Sequence, residues 1–159
     1  MTFKINYEDI IKDSLKNAIK KVLLDVSLKG LPGDHHFFIS FITSFPGVKI
    51  AEWMIKDYPN KMTIVIQNWY ENLNIDDKCF SIVLNFKNKP EKLTIPFDSI
   101  ISFSDPSVNF SLKLENFVSE NLKNIMDLKE TDSQLQSYND ALKLEQDNII
   151  QFEKYKKLD

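Results

Sequence analysis

From Cys79 to Phe86 the chain alternates without a break. Phe80, Ile82, Leu84 and Phe86 share one parity, and Cys79, Ser81, Val83 and Asn85 the other. A strand with one buried face demands this two-residue period, and a helix cannot use it. Asn88-Lys89-Pro90 then supplies turn chemistry and Lys92 to Ile95 returns as a strand, which predicts a hairpin. Met62 to Trp69 alternates the same way, with Met62, Ile64 and Ile66 on one face and Thr63, Val65 and Gln67 on the other. His35 to Thr43, Ile100 to Ser104 and Val108 to Leu114 read as further strands, the last two parted by Asp105-Pro106. Phe45-Pro46-Gly47 and Asp76-Asp77 mark turns, and Ile50 to Asp57 reads as a short helix stopped at Tyr58-Pro59. Short strands at this spacing argue for an antiparallel sheet or a partly open barrel.

One long helix precedes the strands. Ile10, Ile11, Leu15, Ala18, Ile19, Val22, Leu23 and Val26 recur at steps of three and four between Asn6 and Lys29. Asn6 suits an N-cap, Glu8 and Asp9 the positive end of the helix dipole, and Gly30 with Pro32 a C-terminal stop. Such a helix is on the order of 35 Å long. It is expected to cover one side of the sheet; the alternative is that part of its stripe pairs with a second subunit.

Beyond Leu114 the character changes. Residues 1–114 carry 14 Lys against 13 Asp and Glu, a balance of +1; residues 115–159 carry 6 Lys against 10 acids, a balance of −4, and the two sum to the overall −3. The second segment has no Gly or Pro and is rich in Asn, Gln, Ser and acids, a composition that buries little apolar surface. A boundary therefore falls near Glu115 to Phe117. The expected organisation is a folded unit over 1–116 (helix about 6–29, strand-rich body about 35–114), a tether over 117–148 and a terminal segment over 149–157. That last segment gathers Ile149, Ile150, Phe152 and Tyr155 beside Lys154, Lys156 and Lys157, a pattern that reads either as a fraying terminal helix or as a tethered docking peptide.

Composition excludes several classes. All 20 basic residues are Lys and none is Arg, so the chain has no guanidinium fork for guanine, phosphate or carboxylate. With a net negative charge, this argues against dedicated nucleic-acid binding. No window supplies the roughly 18 apolar residues of a membrane helix, and the charged N-terminus lacks the apolar run of a secretion signal. One cysteine, Cys79, fits a reducing compartment, so the expected location is cytoplasmic.

No catalytic or cofactor motif emerges, and neither a cofactor nor a metal is expected. Gly30, Gly33 and Gly47 are isolated turn residues, not a phosphate loop. His35 and His36 are adjacent on a strand and point to opposite faces, so they do not share an ion. One of them belongs in the interior or a groove with a hydrogen-bond partner, the other on the surface. Cys79 reads as packing and Asp76-Asp77 as a turn. The informative faces are those bearing Val65, Gln67 and Trp69, and Ser81, Val83 and Asn85. Amides there can pair with a peptide backbone while Val and Trp supply apolar pockets. Gln67, Asn68, Trp69, Val83 and Asn85 are the candidate peptide groove.

These residues, in order, resemble a known family. Gly30-Leu31-Pro32 with His35-His36, Tyr58-Pro59, Met62-Thr63-Ile64-Val65-Ile66-Gln67, then Phe86, Pro90, Leu93, Ile95-Pro96-Phe97, Phe103 and Asp105-Pro106-Ser107-Val108, with Phe110 and Leu112, are similar to the alpha-type stringent starvation protein B (SspB) family. The terminal cluster resembles that family's docking peptide, differing in its Leu158-Asp159 end and in Lys where Arg is common. The resemblance implies a non-enzymatic adaptor for the ClpXP protease. It implies an α+β, Sm-like, partly open antiparallel β-barrel with a long N-terminal helix used in homodimerisation. It also implies a groove for the ssrA degradation tag and a tail docking on the N-terminal zinc-binding domain of ClpX. On that basis Ile11, Leu15, Ile19, Val22 and Val26 are the expected dimer seam, and Ile149, Ile150, Phe152 and Tyr155 the docking anchors. The barrel architecture alone also permits a Sm-like RNA-binding module, against which the missing Arg counts.

Overall fold

The structure is a computed structural model and describes residues 2–114. The expected tether at 117–148 and docking peptide at 149–157 lie outside the described residues. Helix α1 spans Tyr7–Lys29. The Asn6 side chain accepts the Asp9 amide hydrogen at 3.3 Å, satisfying one of the donors that every helix start leaves open. At the other end the Gly30 amide returns to the Val26 carbonyl at 2.8 Å with φ at +82°, a conformation that favours glycine.

Seven strands follow: β1 (Phe37–Ile42), β2 (Lys61–Ile66), β3 (Glu71–Ile75), β4 (Cys79–Phe86), β5 (Lys89–Pro96), β6 (Ile100–Asp105) and β7 (Phe110–Lys113), with a short helix α2 (Glu52–Asp57) between β1 and β2. They form two antiparallel sheets, one ordered β2-β1-β6-β7 and the other β3-β4-β5. The architecture is α+β, and the two sheets with the helix make a partly open barrel. The expected hairpin is β4–β5, paired from Cys79–Pro96 to Phe86–Lys89.

The parity read from sequence is the parity of the core. Phe37, Ile39, Phe41, Met62, Ile64, Ile66 and Phe103 point inward from the first sheet, and Leu73, Phe80, Ile82, Leu84, Phe86, Leu93 and Ile95 from the second, into one cluster. Ile19, Leu23 and Val26 of α1 close it on one side, and Met54 of α2 adds a fully buried side chain. Trp53 meets the Phe86 ring edge-on at 5.8 Å. Helix α1 lies along β3, and its Lys16 and Lys20 pair with Asp98 and Asp77 of the sheet connections. Such exposed pairs contribute little; apolar burial holds the helix down.

Two differences from the sequence reading matter. Strand β3 was not expected, and its polar Glu-Asn-Leu-Asn-Ile sequence hides it. Only Leu73 is buried, and Asn72 takes a left-handed φ of 52° where the register with β4 shifts. Strand β2 ends at Ile66 rather than Trp69, because Asn68, also left-handed at φ 50°, breaks the extended run and carries the chain across to the second sheet.

Candidate functional site

The chain crosses from one sheet to the other over Gln67-Asn68-Trp69-Tyr70, and the loop between α1 and β1 lies beside that crossing. Between them is an open cleft of about 460 Å³ lined by Leu31, Gly33, His35, Asn68 and Tyr70. Gly33 has a φ of +53° that lets the loop turn back, and the His35 amide bonds the Pro32 carbonyl at 3.1 Å.

The sequence-derived groove residues divide around this crossing. Gln67 is 6% exposed and continues the outer face of the first sheet, beside Val65 and Phe38. Asn68 is exposed and lines the cleft, and Trp69 is half-buried. Val83 and Asn85 are half-buried on the outer face of the second sheet, Val83 between Glu71 and Lys92, Asn85 opposite Pro90. The five residues thus occupy two sheets joined at the crossing rather than one continuous face. Trp69 stands two positions before Glu71, the partner of Val83, and so connects the cleft to the second sheet.

One polar cluster escaped the sequence reading. His35 Nδ1 lies 2.5 Å from Asp105 Oδ2. Asp105 Oδ1 accepts the Ser107 hydroxyl at 2.5 Å and the Ser107 amide at 3.1 Å, capping the tight turn that begins at Pro106. Asp105 is 4% exposed. Its burial works against the ionised carboxylate, but the Ser107 hydroxyl and the His35 ring outweigh it and hold the carboxyl below the usual range. Asp-Pro-Ser is a legible capping signal, yet nothing in sequence links it to His35. The other histidine, His36, is buried at 1% and bonded to the Asp34 carbonyl at 3.1 Å.

The residues of the expected dimer seam also divide. Ile19 and Val26 belong to the chain's own core and Leu15 packs against it, whereas Ile11 and Val22 are 45% and 36% exposed. The flank carrying Tyr7, Ile11, Ala18 and Val22, at steps of four and seven, is the part of the stripe turned away from the core.

A family model described as Stringent starvation protein B matches residues 9–154. The chain belongs to the SspB family. The match begins in α1, takes in every strand and continues past the described residues. Comparison with curated proteins gave no match. Membership in the SspB family points to a general role as a protease adaptor rather than an enzyme, with partners drawn from proteolysis. No helix among the described residues is long and apolar enough to cross a membrane.

Proposed function

We propose that this chain binds the ssrA degradation tag on products of stalled ribosomes and delivers them to ClpXP by tethering, acting as a cytoplasmic homodimer. The observation that carries the reading is the SspB-family match over 9–154, which spans both the cleft-bearing body and the tail. The open cleft at the sheet crossing supports it. Asn68 and Tyr70 offer hydrogen-bonding groups, and Trp69 and Val83 offer apolar surface, to an extended peptide. The segment at 149–157 would dock on the N-terminal zinc-binding domain of ClpX.

The test measures degradation of an ssrA-tagged substrate by ClpXP, well below saturation, with and without this protein. Stimulation is expected; no stimulation together with no tag binding would overturn the proposal. Tag binding itself is read by Trp fluorescence. Trp53 is packed on Phe86, so the response should come from Trp69. Trp69→Ala is expected to weaken tag binding by roughly five- to fiftyfold with an unchanged fold, the scale of losing one aromatic contact at an interface. Unchanged affinity would place the groove elsewhere.

Dimerisation through the outer flank of α1 carries its own expectation. Val22→Asp puts a charge on that flank without entering the core, and should convert a dimer of 18.6 kDa chains to monomers in sedimentation equilibrium while the circular dichroism spectrum holds. A variant that stays dimeric would assign the seam to another surface.

A further inference from the structure

We infer that His35 is a specificity-determining residue of the cleft, held by Asp105 through Nδ1 so that Nε2 accepts a hydrogen bond from an N–H of the bound peptide. The inference rests on the peptide-binding reading and deepens it. A carboxylate only accepts, so the 2.5 Å contact to Asp105 Oδ2 puts the ring hydrogen on Nδ1. The Ser107 hydroxyl lies 3.5 Å from the same nitrogen, but its hydrogen is directed to Asp105 Oδ1 at 2.5 Å. In the neutral ring Nε2 then carries the lone pair. It makes no hydrogen bond among the described residues, and the His35 side chain is 39% exposed at the cleft wall.

The surroundings select the kind of group that fits. Among the described residues, Asp105 at the end of β6 bonds the ring, Asp34 and the buried His36 are its chain neighbours, and Tyr70 lines the same cleft. The described lining of the cleft holds no Lys, and the Asp105 carboxylate behind the ring favours a donor over an acidic side chain at this point. Three bonds fix the Asp105 carboxylate, and it fixes the ring in turn, so little ordering is left for the moment of binding. An extended peptide main chain presents N–H groups of the required kind.

The experiment titrates the full-length protein with a fluorescein-labelled ssrA-tag peptide by anisotropy between about pH 8 and about pH 5, the interval over which imidazoles change charge. Protonation turns Nε2 from an acceptor into a donor, so wild-type affinity should fall as pH falls. His35→Ala should bind roughly two- to tenfold more weakly at the upper pH, the worth of one hydrogen bond, and its pH profile should flatten. Asp105→Asn keeps the shape of the site but offers Nδ1 a donor, moving the ring hydrogen to Nε2, and should show the same loss with the histidine still present. Should Asp105→Asn fail to fold, His35→Gln takes its place: its amide oxygen still accepts but does not titrate, so affinity nearer wild type than His35→Ala with a flat pH profile is expected, and a wild-type-like pH profile would overturn the inference. Wild-type binding with His35→Ala within twofold at every pH overturns this inference and leaves the proposed function standing. No binding by the wild type overturns both.

Discussion

Removing residues 149–159 is expected to return ClpXP degradation of a tagged substrate to its adaptor-free rate while leaving tag affinity unchanged. The reason lies in how a tethering adaptor works. It lowers no chemical barrier; it makes a second encounter intramolecular. A coil spanning 117–148 would have an r.m.s. reach of roughly 30 Å. Substrate held that close to its protease experiences an effective concentration of about millimolar, and linked sites can exceed either separate affinity by roughly a hundredfold or more. Loss of Ile149, Ile150, Phe152 and Tyr155 would remove one of the two contacts and with it the whole advantage. Among the described residues the cleft is lined by Leu31, Gly33, His35, Asn68 and Tyr70. Measuring degradation rate and tag anisotropy on the same truncated protein separates the two halves. Persistent stimulation by the truncated chain would refute the docking assignment, and parallel loss of tag binding would show that the tail belongs to the groove.

Phe41→Ala should have the largest effect on stability. Phe41 is fully buried in β1, the strand flanked by β2 and β6, and its neighbours in the register are Met62 and Ile100. Truncation removes a ring from the core cluster to which both sheets contribute and leaves a cavity that a strand bonded on both edges cannot collapse to fill. The expected loss is about 3–5 kcal/mol. Set against a typical domain stability of about 5–15 kcal/mol, that is enough to shift the urea midpoint by a large fraction of its value. Retention of the wild-type midpoint within the error of the measurement would mean that the first sheet contributes far less to the cooperative unit than its burial indicates.

The strands legible in the sequence were those whose two faces differ in polarity. Cys79 to Phe86 alternates because one face enters the core and the other is half-exposed, and in Met62 to Ile66 the apolar Met62, Ile64 and Ile66 enter the main core while Val65 packs with Phe38 on the opposite face. Strand β3 carries almost no contrast: with only Leu73 buried, its pairing with β4 is decided by tertiary context. The helix was legible from its caps and its stripe, but periodicity cannot divide an apolar stripe between the chain's own core and a partner. Ile19 and Val22 look alike in sequence, and only packing separates 1% from 36% exposure. The site was legible in part. Strand parity points to Gln67 and Trp69, whereas Asn68, of the opposite parity, reaches the cleft because a left-handed residue ends the strand there. His35 and Asp105 are far apart in sequence, and no local pattern announces that the start of β1 and the end of β6 will bring them together.

The same long-range pairing governs how the chain can be born. The second sheet is a meander, its strands joined by short turns, and can zip up as it leaves the ribosome. The first cannot: β1 waits from Phe38 until Ser104 has been synthesised to gain its partner β6. Until then one edge of β1 is open, with Phe37, Ile39 and Phe41 lacking their cover from Phe103 and Ile100. A chain interrupted in translation before Ser104 would hold a sticky, half-made sheet.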